Sequence, residues 1–332
     1  MSAKRRMQLF GALVAACVAA GVVAVVVAAG GVGTTASTAA RDVLIAARDD
    51  DAPRLVFRNL DRAKPQSFGQ IAVAGLSPDA TRTLVQLKCE RVYFDAGSGI
   101  CLARGTAFAS GYRARIFGAD FKLRGQVDVE GVPSRARISP DGTLGSVTLF
   151  VSGHSYADVG GFSTTTTLID VSRGKKIAQL EDFTTTRAGR KVTSPDVNYW
   201  GVTFARERDR FYATLTTGGR FYLVEGSVSG RTMKTIHPNV ECPSLSPDQT
   251  RIAYKKRVGP GGNRWRLHVL NLATMRETAL AETRSVDDQV EWLDDDHVLY
   301  GFNESVWTVP AGGSGRPQRY AAQADSPTVV RW

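Results

Sequence analysis

The chain has 332 residues, 43% hydrophobic and 22% charged, so it is long enough for one large or two ordinary domains, and its composition excludes wholesale disorder. Its formal charge is +10, from 42 basic and 32 acidic residues. Lys4, Arg5 and Arg6 supply three of these cations, and the others are scattered, with Lys255–Arg257 as their densest cluster. Scattered charge argues against nucleic-acid binding, whereas a weak attraction to anionic lipid or cell-wall polymer is compatible with it.

An apolar segment at residues 9–33 is the first element along the chain, and it follows a basic segment at residues 1–8. It holds about 25 uncharged residues, more than the roughly 20 that a helix needs to cross a bilayer and more than a cleaved signal usually contains. Basic residues before such a segment stay in the cytoplasm. We predict a single transmembrane helix over residues 9–33 in the cytoplasmic membrane, with the N-terminus cytoplasmic and the rest of the chain extracytoplasmic.

Two alternatives for this segment stay open. The letters "VAAC", which end at Cys17, loosely resemble a lipoprotein cleavage box with Cys17 as the lipidated residue. The small residues "TTASTAA" at 34–40 would instead suit cleavage by a signal peptidase. We favour the uncleaved anchor, because the apolar run continues past Cys17, where a lipoprotein would normally turn polar.

The next segment, residues 34–53, combines small residues with charges and predicts a short tether that is partly helical at residues 40–47. Its acidic run Asp49–Asp51 is typical of a solvated turn, since calcium loops alternate their ligands around a glycine. Residues 54–332 then break into short runs rich in Val, Ile, Thr, Tyr and Phe, separated by Gly, Asp, Asn and Pro. This pattern predicts an all-β domain.

One turn motif recurs within the β domain. It is written "SPDA" from Ser77, "SPDG" from Ser139 and "SPDQ" from Ser246, with weaker versions after Phe204 and Trp292. Proline presets the backbone of such a turn, and the Ser and Asp side chains bond to nearby backbone groups. Copies spaced by about 40 to 65 residues indicate propeller blades, some with insertions. We expect each copy to join the inner strand of a blade to the next strand.

The count of blades comes to six. Five carry the motif, and a sixth is expected to combine "SPTVVRW" at Ser326–Trp332 with "PRLVFRNL" at Pro53–Leu60. Pairing the two ends of the chain in this way closes the ring and removes exposed strand edges. The sequence therefore predicts a monomeric six-bladed β-propeller behind a transmembrane helix and a short tether.

The motif also carries a family resemblance. "SPDGT" followed by an apolar strand resembles the repeat of TolB-type propellers. "ECPSLSPDQTRIAYKKR", "DDQVEWLDDDHVLY" and "SVWTVPAGGSG" are similar to actinobacterial proteins described as TolB-like translocation proteins. The resemblance covers the chain from about Pro53 onward and implies a propeller fold. TolB itself has an additional α/β domain before its propeller, and because a membrane anchor and tether stand there in this chain, a role in the Tol–Pal system is not carried over.

Residue types that carry catalysis form no recognisable constellation. The four histidines and the lack of a C-x-x-C pair leave no metal-ligand spacing, and "GSVSG" has Val228 where a nucleophile elbow needs serine. We expect no catalytic, metal-binding or cofactor-binding residues and no cofactor. Two functions remain: a propeller that binds an envelope protein or an anionic cell-wall or membrane polymer, and a hydrolase-type enzyme or enzyme accessory with a site at the channel mouth. An enzyme should gather acid–base groups with perturbed pKa values at that mouth.

Cysteine spacing predicts one disulfide bond. Cys89 and Cys101 flank "ERVYFDAGSGI", whose "DAGSG" is typical of a hairpin turn, so the two strands fold back on each other. An extracytoplasmic compartment is oxidising and favours a bridge between them. Cys242, in the apolar stretch "VECPSL", is expected to be a buried free thiol.

Three insertions predict where a partner binds, because the strands of a propeller are committed to packing and recognition falls to its loops. They lie at residues 97–113, 152–167 and 184–200. Aromatic residues and arginine are typical anchors of protein interfaces. We predict that at least two insertions meet on one face, and the candidate contact residues are Tyr112, Tyr156, Arg187, Arg190, Tyr199 and Trp200.

Overall fold

The computed structural model describes residues 38–45, 49, 52–105, 111–153, 161–259 and 264–331. The predicted transmembrane helix at residues 9–33 and the alternatives at Cys17 and residues 34–37 lie outside these ranges. Within them, no helix is long and apolar enough to cross a membrane.

Short strands with alternating burial form six sheets around a central channel. Blade 1 contains β1 (Arg54–Asn59), β2 (Gln70–Gly75), β3 (Thr83–Lys88) and the last strand of the chain, described below. Blade 2 contains β4 (Arg91–Asp95), β5 (Ser98–Arg104), β6 (Tyr112–Gly118) and β7 (Leu123–Val129). Blade 3 contains β8 (Val132–Ile138), β9 (Leu144–Ser152), β10 (Ser163–Asp170) and β11 (Lys175–Gln179).

Blade 4 is larger than the others because a hairpin is added to its outer edge. The hairpin consists of β12 (Thr184–Arg187) and β13 (Arg190–Lys191), and the blade itself of β14 (Asn198–Phe204), β15 (Arg210–Thr217), β16 (Arg220–Ser227) and β17 (Thr232–Pro238). Strand β12 pairs with β17 in parallel, which extends this sheet to six strands.

Blades 5 and 6 complete the ring. Blade 5 contains β18 (Glu241–Leu245), β19 (Arg251–Val258), β20 (Arg264–Asn271) and β21 (Glu277–Ala279). Blade 6 contains β22 (Glu291–Trp292), β23 (His297–Phe302), β24 (Ser305–Pro310) and β25 (Gln318–Ala322). Two 3-10 turns, Pro65–Ser67 and Leu180–Asp182, lie in connections between strands.

Blade 1 is closed by the last strand, β26 (Ala324–Val330), which pairs antiparallel with β1. Arg54 faces Val330 and Leu55 faces Val329, and the order across the sheet is β26, β1, β2, β3. The predicted closure between the two ends of the chain is confirmed, as is the six-bladed all-β propeller.

The prediction that every turn motif follows an inner strand is wrong for "SPDA". Residues 77–80 join β2 to β3 within the closing blade, whereas the inner turn of blade 2 is the "DAGSG" hairpin between β4 and β5. Both kinds of turn join antiparallel strands at the same end of a blade, so the same turn chemistry suits both positions.

The meander topology gives the propeller two distinct ends. Each blade starts at the channel and runs outward through antiparallel strands, so all inner strands end on the same side. We call that side the turn end, because the "SPDG" and "SPDQ" turns lie there. The opposite side, where inner strands begin, is the loop end. It carries the connections from β5 to β6, from β9 to β10 and from β11 to β14.

A helix at residues 38–45 packs on the turn end of blade 2. Ala40 and Leu44 are fully buried against a stack formed by Phe94, Phe117 and Phe121. The ring centroids of this stack are 5.8 to 6.2 Å apart. This part of the predicted tether is therefore held against the propeller by apolar burial.

Candidate functional site

A buried ion pair crosses the central channel. Arg137 on β8 and Glu291 on β22 form it, and their side chains are only 5% and 7% exposed. Arg137 also donates to Ser244 Oγ at 2.9 Å and to the Val290 carbonyl at 3.0 Å. Tyr93 on β4 places its hydroxyl 3.4 Å from the Glu291 carboxylate and its ring centroid 4.5 Å from the Arg137 guanidinium. The inner strands of four blades therefore meet at one guanidinium.

The electrostatics of this cluster favour a pair that stays charged. Burial by itself opposes the guanidinium cation, but the neighbouring Tyr93 and Glu291 raise the pKa of Arg137 above its ordinary value. Burial also raises the pKa of the Tyr93 phenol, which keeps that hydroxyl protonated as a donor. Arg137 and Glu291 form their hydrogen bonds with each other and with their neighbours in the cluster. The cluster lies across the channel between the turn end and the loop end.

A cavity of about 260 Å³ opens from this cluster to the turn end. Asp95, Arg206, Gln249, Trp292 and Arg331 are among the residues that line it. Burial, with added repulsion from Glu291, raises the pKa of Asp95 to about 7, although the Ala96 amide donates to this carboxylate at 2.8 Å. Asp95 is therefore the group in this cavity that exchanges a proton near neutral pH.

The cavity does not present a nucleophile beside a base. Of the described residues that line it, none is histidine or cysteine, and its two serines are engaged elsewhere. Ser244 accepts from Arg137, and Ser246 donates to Asp248 at 2.5 Å within the turn. Nor do the described ranges bring three acidic, histidine or cysteine side chains together as ligands for a metal ion. The arrangement can hold a small polar group and exchange one proton through Asp95.

Two of the predicted contact residues are buried, which corrects the sequence-based prediction for them. Tyr199 is 2% exposed and Trp200 is fully buried on inner strand β14. The Tyr199 hydroxyl is 2.7 Å from Thr185 Oγ1, and the Trp200 ring packs edge-on against Phe162 and Phe221. These side chains hold the added hairpin and neighbouring blades together, so they contribute no surface to a partner.

The remaining candidates lie at the loop end or outside the described ranges. Arg187 and Arg190 are exposed on the added β12–β13 hairpin, and the Arg187 guanidinium lies 4.9 Å from the Tyr222 ring centroid. Tyr112 is half-buried at the start of β6, with the Arg104 guanidinium 5.8 Å from its ring centroid. Tyr156 falls outside the described residues. The strands that flank all three insertions reach the same end, on consecutive blades 2, 3 and 4.

Both cysteine predictions are confirmed. Cys89, just before β4, and Cys101, on β5, form a disulfide bond with their Cα atoms 5.3 Å apart. The free Cys242 is fully buried on β18, and this burial raises the pKa of its thiol. The bridge joins the first two strands of blade 2 at the loop end, next to one of the predicted insertions.

Comparison with known proteins finds relatives in fold but not in sequence. No protein-family model matches the chain, and no curated protein matches it. Among solved structures, TolB from Acinetobacter baumannii is similar with a TM-score of 0.58 and 14% sequence identity, over 84% of this chain and 67% of that chain. The likeness is one of fold.

Two other solved structures are also similar to this chain. A chain of the nidogen/laminin complex matches with a TM-score of 0.55 and 12% identity, over 83% of this chain and 98% of its own length. A puromycin-hydrolyzing peptidase from Mycobacterium tuberculosis matches with a TM-score of 0.47 and 15% identity, over 81% of this chain and 43% of that chain. Identities this low establish the architecture alone.

Proposed function

We propose that this protein is a membrane-anchored, extracytoplasmic binding propeller of the actinobacterial TolB-like type. It uses the loop end of blades 2 to 4 to hold an envelope protein or an anionic cell-wall or membrane polymer. The observation that carries the proposal is the β12–β13 hairpin, which adds nothing to the channel and displays Arg187, Arg190 and Lys191 to solvent. Three exposed cations on a rigid hairpin favour a partner with negative charge.

Two further observations support this reading. The Cys89–Cys101 disulfide agrees with an oxidising, extracytoplasmic compartment. The helix at residues 38–45 packs on the turn end, so an anchor that precedes it would leave the loop end directed away from the membrane. The position of the predicted anchor and the position of the hairpin are thus mutually consistent.

The test compares the full-length wild type with a full-length variant whose hairpin charges are reversed, Arg187→Glu/Arg190→Glu/Lys191→Glu. Cell envelopes are incubated with each protein, before and after protease treatment of the envelopes, and bound protein is measured by sedimentation. We expect the variant to bind envelopes less than the wild type does and to keep the wild-type melting temperature, because the three side chains are exposed. Binding that survives protease treatment identifies a polymer as the partner, and binding that is lost identifies a protein.

The matched control reverses two exposed arginines at the turn end of blades 5 and 6, Arg276→Glu/Arg316→Glu, and it should bind envelopes as the wild type does. Equal binding by the hairpin variant and the wild type would reject the loop end as the recognition surface.

A second candidate, a hydrolase-type enzyme or accessory, is favoured by a single observation, the pKa of about 7 for Asp95 in the turn-end cavity. A pKa near the working pH suits a general acid or base. Under this reading Asp95→Asn abolishes a hydrolytic activity on envelope material and leaves sedimentation with envelopes unchanged. Under the binding proposal the same substitution changes neither measurement.

A further inference from the structure

Exposed apolar side chains are unevenly distributed over the described part of the chain. Four large ones stand out: Ile45 at 45% exposure, Leu123 at 53%, Val151 at 50% and Met275 at 41%. Ile45 is on the helix that packs against the turn end of blade 2, and Leu123 begins strand β7 at that same end. Two of the four therefore lie at the turn end of blade 2.

Cations lie beside Leu123 and on the neighbouring blade at the same end. Lys122 and Arg124 flank Leu123 in the sequence, and Lys175 and Lys176 begin the outer strand of neighbouring blade 3. All four are exposed, and the two blades approach each other closely here at Gly125. Arg124 is paired with Asp120 at 3.0 Å. Within the described ranges, the three lysines form no ion pair, so their charges face solvent.

The space between the helix and the blades adds a concave site to this surface. A cavity of about 640 Å³ there is lined by Arg41 and Ile45 from the helix and by Arg124 and Ser172 from blades 2 and 3. We call the surface formed by Ile45, Lys122, Leu123, Lys175 and Lys176 the basic patch. Apolar side chains set among cations are typical of surfaces that bind anionic lipid.

The chain that leads to the basic patch also favours a membrane as its occupant. The apolar run ends at residue 33, and the helix that packs on blade 2 is described from residue 38. Five residues of fully extended chain span at most about 17 Å. A propeller anchored by that run therefore has the turn end of blade 2 within reach of the lipid surface.

Charges elsewhere on the turn end determine how the propeller would be oriented on a membrane. On blade 6, across the ring from blade 3, the turn Asp294–Asp296 presents three exposed carboxylates at the same end. Anionic lipid repels this turn. We propose that the propeller docks on an anionic membrane surface through the basic patch, tilted so that blades 2 and 3 touch the headgroups and blades 5 and 6 are lifted.

The experiment measures this tilt in the full-length chain. Single cysteines are introduced by Leu123→Cys, Met275→Cys or Val151→Cys in a Cys17→Ser background and labelled with a donor fluorophore, since buried Cys242 does not react. Each protein is reconstituted into vesicles of phosphatidylcholine and phosphatidylglycerol that carry an acceptor on their headgroups. Met275 is the matched control, because it is an exposed apolar residue in a turn at the same end but on blade 5.

We expect strong energy transfer from position 123 and weak transfer from positions 275 and 151. Reversing Lys122, Lys175 and Lys176 to Glu should reduce transfer from position 123, since each cation near an anionic surface contributes about a fivefold factor to contact. Arg187→Glu/Arg190→Glu at the loop end should leave it unchanged, which separates docking from recognition of a partner. Equal transfer from positions 123 and 275, stronger transfer from 275, or no transfer at all overturns the proposal.

Discussion

The ion pair across the channel makes a sharp prediction about stability. Glu291→Gln keeps the size of the side chain and its carbonyl acceptor but removes the negative charge beside Arg137. The guanidinium then remains buried, 5% exposed, without the carboxylate that pairs with it. Because all the strands around Arg137 belong to different blades, the protein cannot release this charge to water without opening the ring.

The size of the effect follows from the burial of both partners. Removal of one member of a buried ion pair costs about 3 to 5 kcal/mol, because the remaining charge is left uncompensated. For about 280 structured residues, each kcal/mol lowers the melting temperature by about 2 °C. We therefore expect Glu291→Gln to melt about 6 to 10 °C below the wild type. The double variant Arg137→Met/Glu291→Met removes both charges and should recover most of this loss.

The assay is equilibrium unfolding of the full-length protein in detergent, followed by tryptophan fluorescence, with Trp292 beside the pair as a local reporter. Glu304→Gln is the matched control, because it breaks the exposed ion pair with Arg62, whose side chains are 67% and 51% exposed. That variant should unfold like the wild type. If Glu291→Gln were as stable as Glu304→Gln, or the double variant less stable than Glu291→Gln, the channel pair would not hold the blades together as we argue.

Three further predictions concern the cysteines and Asp95. Replacing Cys89 and Cys101 with serine should lower the free energy of unfolding by about 3 kcal/mol, and a reductant should then have no further effect. Because the pKa of Asp95 is raised in the folded state, the free energy of unfolding falls as pH rises from about 4 to about 7. In Asp95→Asn the denaturant concentration at half-unfolding should therefore vary less with pH over that range. Cys242 should react with a thiol reagent only after unfolding, which mass spectrometry can follow with and without denaturant.

The architecture could be predicted because turn chemistry and strand composition are local properties. The "SPDG" turn, for example, shows in the structure the bonds expected from its residues: Ser139 and Thr143 both bond to Asp141. The same locality explains the one misplaced copy. The turn that begins at Ser77 lies between the third and fourth strands of its blade. The four residues of a turn do not indicate whether the turn lies near the channel or near the outer edge of the blade.

The channel site could not be found in the same way, because Arg137 and Glu291 are separated by 154 residues and meet only when the ring closes. A usable signal was nevertheless present. Both are charged residues inside short apolar strands that precede a motif turn, "ARISPDG" and "VEWLDDD", and a buried inner strand does not carry a charge without a partner. The prediction that Tyr199 and Trp200 contact a partner is wrong for a different reason. They lie beside a predicted insertion, but both belong to the inner strand β14.

The pairing of β1 with β26 has a consequence for how the protein is made. Arg54 is synthesised long before its partner Val330, so the inner edge of β1 stays unpaired until blades 2 to 6 have been synthesised. Contacts between residues so distant in the chain form slowly, and an open strand edge invites pairing with other chains. A product that stopped before residue 324 would contain nearly all of the blades and still leave the ring open. Such a chain would expose the inner edge of β1 to proteases and to other chains, because β26 is the strand that pairs with this edge.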